Sequence, residues 1–175
     1  MNIIIRFIAV WWLRSGRYRW SKLYRLLFEH RYLKESLPEA VSIEDVEACL
    51  KQVTWKLEGL LHLYDSISYP QTTWMRKKDD CDGFASLAAE LLYRLNSNHR
   101  PVLITTVVKP ISKSHTVCAF NNLRGNLWYF DNARLKSEQY RNYDEIAIKV
   151  SQRGKNLICW DVRNPYTFEL IEFHD

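Results

Sequence analysis

The feature that most constrains the fold is an amphipathic segment that begins at a cysteine. Asp79 or Asp80 can cap its first turn, because a short carboxylate accepts hydrogen bonds from the free N–H groups there. The spacing of the apolar residues that follow, three and four positions apart, places one apolar stripe toward a core. These residues are Phe84, Ala85, Ala88, Leu91, Leu92 and Leu95. We therefore predict a helix with Cys81 in its first turn.

A cysteine at the start of a helix can be a reactive thiol. The unpaired N–H groups and the positive end of the helix dipole favour a thiolate. The same N–H groups can receive the negative oxygen of a tetrahedral intermediate. The alternative is a small, buried apolar side chain, which is the commoner fate of a cysteine. An imidazole and a carboxylate within reach of Cys81 would favour the reactive interpretation.

Three strand-forming runs follow this helix. Residues 101–108, 114–120 and 126–131 are rich in β-branched and aromatic side chains. The last two runs are separated by Asn121–Gly125, which contains the asparagine and glycine that tight reversals need. We predict that these two runs form an antiparallel hairpin.

The hairpin brings an imidazole and a carboxylate together. With the turn centred near Leu123, His115 lies directly opposite Asp131, and opposed residues share a face of the sheet. A Cys-His-Asp set can perform acyl transfer. The imidazole takes the thiol proton and later protonates the leaving amine, while the carboxylate orients the ring and stabilises its cationic form.

Three short motifs follow one another in the middle of the chain: Asp80-Cys81-Asp82-Gly83-Phe84-Ala85, Ser114-His115-Thr116-Val117 and Tyr129-Phe130-Asp131-Asn132. They resemble the motifs of the transglutaminase-like superfamily, and most of all those of its small bacterial and phage cysteine peptidases. Trp74 also resembles a tryptophan that often precedes the cysteine motif there. The resemblance covers roughly residues 69–135.

The resemblance implies a papain-like α+β fold, in which the nucleophile helix packs on an antiparallel sheet and further helices precede it. It implies that Cys81 is the nucleophile, His115 the general acid/base and Asp131 its orienting carboxylate. The implied activity is thiol-dependent hydrolysis of an amide in a protein or peptide, through a thioester and without a cofactor. Transfer of the acyl group to an amine is the alternative outcome.

The approach to the cysteine, residues 69–78, is predicted to be a loop. Gln71 and Trp74 are candidates there for a second oxyanion donor, through an amide or an indole N–H. Packing of Trp74 over the pocket is an equally good interpretation. Neither choice changes the predicted nucleophile.

A departure from the family pattern supports a different function. Family members commonly have glycine where this chain has Asp79, and three acids surround Cys81. Like charges raise the pKa of a thiol unless their side chains cap the helix or face solvent. The alternative is therefore a weakly active or inactive transglutaminase-like scaffold, a structural, assembly or interaction protein that could belong to a phage.

Composition narrows the class of protein and its partners. The chain has 175 residues, 47% of them hydrophobic, and a net charge of +5. It contains no aromatic-basic RNA motif, zinc-finger spacing or Gly-rich phosphate loop, so nucleic acid is not an expected partner. The four cysteines are widely spaced and the five histidines lack ligand spacing. We predict a reduced, cytoplasmic protein without a metal site.

Residues 1–40 are predicted to form an N-terminal arm, and residues 41–175 the transglutaminase-like domain. The apolar run over residues 1–13 is too short and too interrupted to span a bilayer. Basic residues follow it, whereas a secretory signal has them in front. Either this segment packs on its own domain or on a neighbouring subunit, or residues 1–25 contact a membrane surface with their tryptophans at the headgroups.

Flanking segments complete the predicted α+β domain. A helix is expected from the N-cap Ser42, with apolar residues at regular spacing through Tyr64. The polar stretch 137–154 is predicted to form a short helix. Residues 156–160 and 166–171 are predicted to be two further strands, which gives about five strands and four helices.

Overall fold

The computed structural model describes residues 3–57, 66–152 and 156–175, and it is an α+β fold built on an antiparallel sheet. The helices are α1 Ile3–Trp11, α2 Arg17–Tyr24, α3 Ile43–Leu50, α4 Pro70–Arg76, α5 Cys81–Leu95 and α6 Tyr143–Ser151. The strands are β1 Thr54–Trp55, β2 Lys78–Asp79, β3 Val102–Lys109, β4 His115–Asn121, β5 Leu127–Asp131, β6 Arg134–Tyr140, β7 Asn156–Arg163 and β8 Leu170–His174.

The main sheet has six strands in the order β6-β5-β4-β3-β7-β8, and each pair of adjacent strands is antiparallel. Seven of the eight residues of β3 are buried, because helices cover both faces of the sheet. Successive side chains of a strand point to opposite faces. Leu103 and Cys118 accordingly pack with α5, whereas Ile104 and Val117 pack with α6.

Helix α5 begins at Cys81, as its sequence predicts. The Asp80 carboxylate accepts the backbone N–H of Asp82 at 3.1 Å, so Asp80 is the N-cap. Ten of the fifteen residues of α5 are buried, and Asn96 ends the helix. The predicted helix, its cap and the position of the cysteine in its first turn are confirmed.

A continuous helix over residues 3–34, here called the arm helix, precedes the domain. It contains α1 and α2, π-helical segments at Trp12–Gly16 and Arg25–Glu29, and a final 3₁₀ segment at His30–Lys34. Besides the buried Tyr18, its buried residues repeat every fourth position: Ala9, Leu13, Arg17, Ser21, Arg25 and Glu29. In a regular α-helix such a repeat shifts by about 40° at each step and winds around the helix. The π turns hold extra residues and return the stripe to one side.

The polar members of this stripe bond the backbone that leads into α4. Ser21 Oγ accepts the N–H of Ile67 at 3.0 Å. Arg25 donates to the carbonyl oxygens of Ile67 and Ser68, both at 2.7 Å. Glu29 accepts the N–H of Tyr69 at 2.8 Å. Burial lowers the pKa of Arg25 to about 10, and Glu29 acts in the opposite direction.

The opposite side of the arm helix is apolar and exposed. Phe7 is 70% exposed and Trp11 63%, and Leu26 and Leu27 are exposed further along. One side of the arm thus packs on its own chain, while the occupant of the other side, membrane or protein, stays a prediction. Among the described residues, none of the helices has both the length and the apolar character of a membrane span.

The predicted helix from Ser42 to Tyr64 is wrong beyond Leu50. Ser42 caps α3 by accepting the N–H of Asp45 at 3.1 Å, as expected. After Leu50 the chain turns, and β1 pairs in parallel with β2. Backbone pairing of the β-branched segment here prevails over its helical spacing. The remaining predicted positions, residues 58–65, lie outside the described residues.

The predicted approach loop contains a helix. Pro70 occupies the first turn of α4, where a residue without an N–H loses no hydrogen bond. Lys77 ends the helix in a left-handed conformation with φ of 52°. This short helix was missed because its polar residues lack a long apolar period.

At the C-terminal side, α6 confirms the predicted short helix over residues 143–151, with Asn142 as its N-cap, whereas residues 137–140 of the predicted stretch belong to a strand. Strand β6 was missed, because it is an edge strand with mostly polar, exposed side chains and no clear alternation. Strand β7 continues to Arg163. The last strand begins at Leu170, because a turn in which Phe168 donates its N–H to the Asn164 carbonyl at 3.0 Å occupies the predicted start.

Candidate functional site

A cavity of about 950 Å³ lies where the N-terminus of α5 meets the ends of β3 and β4. Both Cys81 and His115 line it. Its volume falls in the range of ligand-binding sites. The arm helix supplies part of its wall, including Trp12 and Arg17. We take this cavity as the candidate site.

His115 is held by Asp131. Its Nε2 lies 2.8 Å from Asp131 Oδ1, and the side chains are 7% and 14% exposed. The predicted register is wrong by two residues, since Cys118 pairs with Phe130. Asp131 therefore lies diagonal to His115, still within side-chain reach. A slip of two residues keeps the same face of the sheet, which is why the contact persists.

Cys81 is half-buried at the start of α5, and its Sγ lies 3.9 Å from Asp82 Oδ1. Thr116 contacts Arg17 on the α5 side of the sheet. Because neighbouring residues of a strand alternate, His115 leaves β4 on the other side, at the first residue of the strand. The thiol and the imidazole both line the cavity.

The three acids around Cys81 each have donors of their own. The Asp79 carboxylate accepts the hydroxyl of Thr73 at 2.6 Å and the N–H of Asp80 at 2.9 Å. Asp80 caps the helix. Asp82 forms a buried ion pair with Arg17. Capping and pairing are the conditions under which their charges oppose a thiolate least.

Gly83 makes room for the Asp79 carboxylate. A Cβ at position 83 would lie 2.1 Å from the carboxyl carbon of Asp79, closer than any real contact. Asp79 is 2% exposed, so it has little space into which to move. The glycine of the cysteine motif therefore has a steric role: it lets a buried acid pack against the first turn.

Arg17 is a site residue that the sequence did not reveal. Its guanidinium donates to Thr105 Oγ1 at 3.0 Å and to Thr116 Oγ1 at 3.4 Å, and it pairs with Asp82. It joins the arm helix, β3, β4 and α5 in one polar cluster. In the sequence it looked like one of several basic residues after an apolar run. The sequence feature that could have indicated its burial is the spacing of four residues between Arg17 and Ser21.

A second buried cluster joins the arm helix to β7. Tyr18 donates its hydroxyl to Asp161 at 2.9 Å, and Arg163 Nε donates to the same carboxylate at 2.7 Å. Arg163 also donates to the carbonyl oxygens of Leu13 and Arg14, at 3.2 and 2.8 Å. Burial raises the pKa of Asp161 to about 6, although Arg163 and Tyr18 act in the opposite direction.

Gln71 and Trp74, the candidates for an oxyanion donor, lie on α4. Trp74 packs partly buried against the core, and the Lys77 ammonium lies 2.7 Å from the centroid of its ring system. Neither residue is among the described residues that line the cavity. Their role in catalysis stays a prediction, and the alternative that Trp74 packs over the pocket is wrong, because its indole packs on the core instead.

The other cysteines differ from Cys81. Cys49, Cys118 and Cys159 are buried free thiols. Burial raises the pKa of the Cys118 thiol well above its usual range and that of Cys159 to about 12, with Asp161 adding to the second effect. These thiols remain protonated at neutral pH. Cys81, which is partly accessible, lies beside the cavity.

Among the described residues, Asp80, Cys81 and Asp82 form a group whose ligand atoms lie within 4.8 Å of one another. Such a group can in principle hold a metal ion. Here Asp80 already accepts the N–H of Asp82, and Asp82 already pairs with Arg17. A cation would have to displace the guanidinium, so the donor set does not suit a metal.

No protein-family model matches this chain, and no curated protein matches it. The resemblance to transglutaminase-like peptidases therefore rests on three motifs. The α+β architecture with its antiparallel sheet is compatible with the fold that the resemblance implies. Function has to be argued from the site itself.

Proposed function

We propose that the protein is a thiol-dependent amide or peptide hydrolase with a papain-like core of the transglutaminase-like type. The supporting observation is the 2.8 Å bond between His115 and Asp131 at a cavity that Cys81 also lines. A carboxylate that orients an imidazole and stabilises its cation prepares the ring to act as base and acid. A thiol nucleophile needs such a partner.

In the proposed reaction the Cys81 thiolate attacks the carbonyl carbon of an amide. The C–N bond breaks, and the imidazolium of His115 gives its proton to the leaving amine. Water then adds to the thioester with His115 as base, the C–S bond breaks, and the carboxylic acid leaves as the thiol is restored. Asp131 holds the ring throughout, and the N-terminus of α5 favours the negative oxygen of each tetrahedral intermediate.

The proposed substrate is a protein or peptide, and the proposed acyl acceptor is water. Support for water comes from the resemblance to small stand-alone peptidases. An amine acceptor would use the same thioester and the same three residues. Product analysis distinguishes the two, since hydrolysis releases a carboxylic acid and transfer yields a new amide.

A specific observation favours the alternative, a transglutaminase-like scaffold that acts through its surface. The Cys81 Sγ lies 3.9 Å from the carboxylate oxygen Oδ1 of Asp82, and a carboxylate next to a thiol disfavours the thiolate. Under the control of this carboxylate, Cys81 behaves as an ordinary thiol. The two functions therefore make opposite predictions for its reactivity.

The test is site-resolved alkylation by iodoacetamide as a function of pH, followed by mass spectrometry. We expect Cys81 near neutral pH to react at least tenfold faster than a free thiol. His115→Ala should reduce that rate about tenfold and Asp131→Asn should reduce it in part. His174→Ala serves as the matched control, because His174 is an exposed histidine outside the cavity.

Buried Cys49, Cys118 and Cys159 are internal references for unfolding. The hydrolase proposal is wrong if Cys81 titrates like a free thiol, with a pKa of about 8.5, and if His115→Ala does not change its alkylation rate. The scaffold would then be the better account.

A further inference from the structure

The cavity beside Cys81 has an apolar wall built from separate parts of the chain. Ile8 and Trp12 come from the arm helix, Leu57 from the segment after β1, Val107 from β3 and Ile111 from the loop before β4. None of these residues belongs to the three motifs. The wall is therefore a property of this chain's tertiary structure and of its arm in particular.

Four buried polar side chains that line the cavity bond one another. Arg17 pairs with Asp82 and donates to Thr105 and Thr116, and all four are buried. A ligand that entered this region would meet groups whose main partners are already within the protein. A charged ligand group would lose its hydration there with little in return.

The position of the thiol determines what must occupy this space. The carbonyl carbon of an acyl donor has to reach Cys81 Sγ, so the groups attached to that carbonyl lie in the cavity that Cys81 lines. Burial of apolar surface stabilises such a complex roughly in proportion to the area removed from water. The volume of about 950 Å³ admits a group far larger than a methyl.

We propose that the cavity binds a bulky aliphatic or aromatic group of the acyl donor, and that Ile8 and Leu57 determine this preference. The inference rests on the proposed function and names its substrate class: amides with a large apolar group next to the scissile carbonyl. The arm helix is then part of the substrate site as well as of the fold.

Ile8 and Leu57 are suited to a test because they are accessible. They are 56% and 42% exposed, so they leave apolar surface for a ligand to cover, and polar replacements there leave the core packing intact. Leu26, which is 62% exposed on the same helix as Ile8, does not line the cavity and is the matched control.

The experiment compares N-methyl and N-hexyl chloroacetamide, which share one reactive group. The second-order rate constant at Cys81 is measured by mass spectrometry and divided by that of free glutathione with the same probe. We expect the hexyl probe to react at least tenfold faster than the methyl probe and to saturate. Ile8→Gln and Leu57→Gln should each reduce this ratio several-fold, whereas Leu26→Gln should leave it unchanged.

A hexyl-to-methyl ratio near one overturns the inference, and so does a ratio that Ile8→Gln and Leu57→Gln do not alter. Faster reaction of a probe of equal length ending in a carboxylate also overturns it. Failure of the proposed function gives a different result: Cys81 is then alkylated at the rate of an ordinary thiol, and His115→Ala does not change that rate. A large chain-length ratio in that case still supports an apolar ligand in the cavity.

Discussion

Arg17 of the arm helix forms a buried ion pair with Asp82, the residue that follows Cys81. The exposed fractions of the two side chains are 5% and 0%. The pair connects the N-terminal segment of the chain with the first turn of α5. The arm is thus a structural component of the candidate site, and substitutions in the arm should alter the reactivity of the Cys81 thiol.

Arg17→Ala should destabilise the protein by roughly 3–5 kcal/mol, because it leaves the Asp82 carboxylate buried without its cation. Urea unfolding measures the loss. Asp82→Asn in the same background should recover part of it, since the uncompensated charge is then gone. Arg19→Ala, at an exposed position of the same helix, should cost less than about 0.5 kcal/mol. Equal losses for the two arginines would contradict the assignment.

Gly83→Ala should destabilise the protein by at least about 2 kcal/mol, although alanine is the better helix former. The new Cβ would collide with the buried carboxylate of Asp79. Asp79→Gly removes both the carboxylate and the Cβ of residue 79, which are the atoms that the new Cβ would meet, so Gly83→Ala should cost less in that background. Thermal unfolding of the four proteins completes the cycle. Additive effects of the two substitutions would rule out the steric explanation.

Asp161 should contribute a pH dependence with an unusual sign. Its pKa is raised to about 6 by burial, so between about pH 4 and 6 the folded state holds a proton that the unfolded state has lost. Its contribution to stability therefore falls as pH rises through that window, by about 3 kcal/mol at most. Asp161→Asn removes the effect, so the stability deficit of the variant should shrink from pH 4 to pH 6. A deficit that grows instead would show that Asp161 stays ionised.

Glu29→Ala should expose one backbone amide selectively. Glu29 accepts the N–H of Tyr69, while the neighbouring N–H of Ile67 is bonded to Ser21. Hydrogen exchange at Tyr69 should accelerate at least tenfold, and exchange at Ile67 should change less. Glu35→Ala, at an exposed position, is the control and should alter neither amide. Equal acceleration at both amides would indicate general loosening of the arm.

Local features were predicted well where one pattern dominates. The stripe from Phe84 to Leu95 has the period of a helix, and a short carboxylate stands in front of it, so α5 and its cap could be predicted. The contact of His115 with Asp131 was predicted correctly although the predicted turn centre was wrong, because a register error of two residues leaves both side chains on the same face of the sheet. An error of one residue would have placed the two side chains on opposite faces.

The failures have equally physical causes. The stripe after Leu50 has helical spacing, yet β1 forms because β2 offers its backbone hydrogen bonds. Strand β6 lies at an edge of the sheet with its polar side chains in solvent, so no alternation marks it. The partner of β1 lies far away in the sequence, whereas β6 pairs with the preceding strand and owes its edge position to the strand order of the whole sheet.

The sequence by itself determined the buried face of α5, the place of Cys81 in its first turn, and the two strands that bear His115 and Asp131. These features depend on the spacing of residue types over short stretches, which can be read directly from the sequence. Only the tertiary structure decided that Arg17 pairs with Asp82 and that Ile8 forms a wall of the cavity. A buried ion pair needs both partners and the dry surroundings that packing creates, and no short stretch of sequence contains all of these.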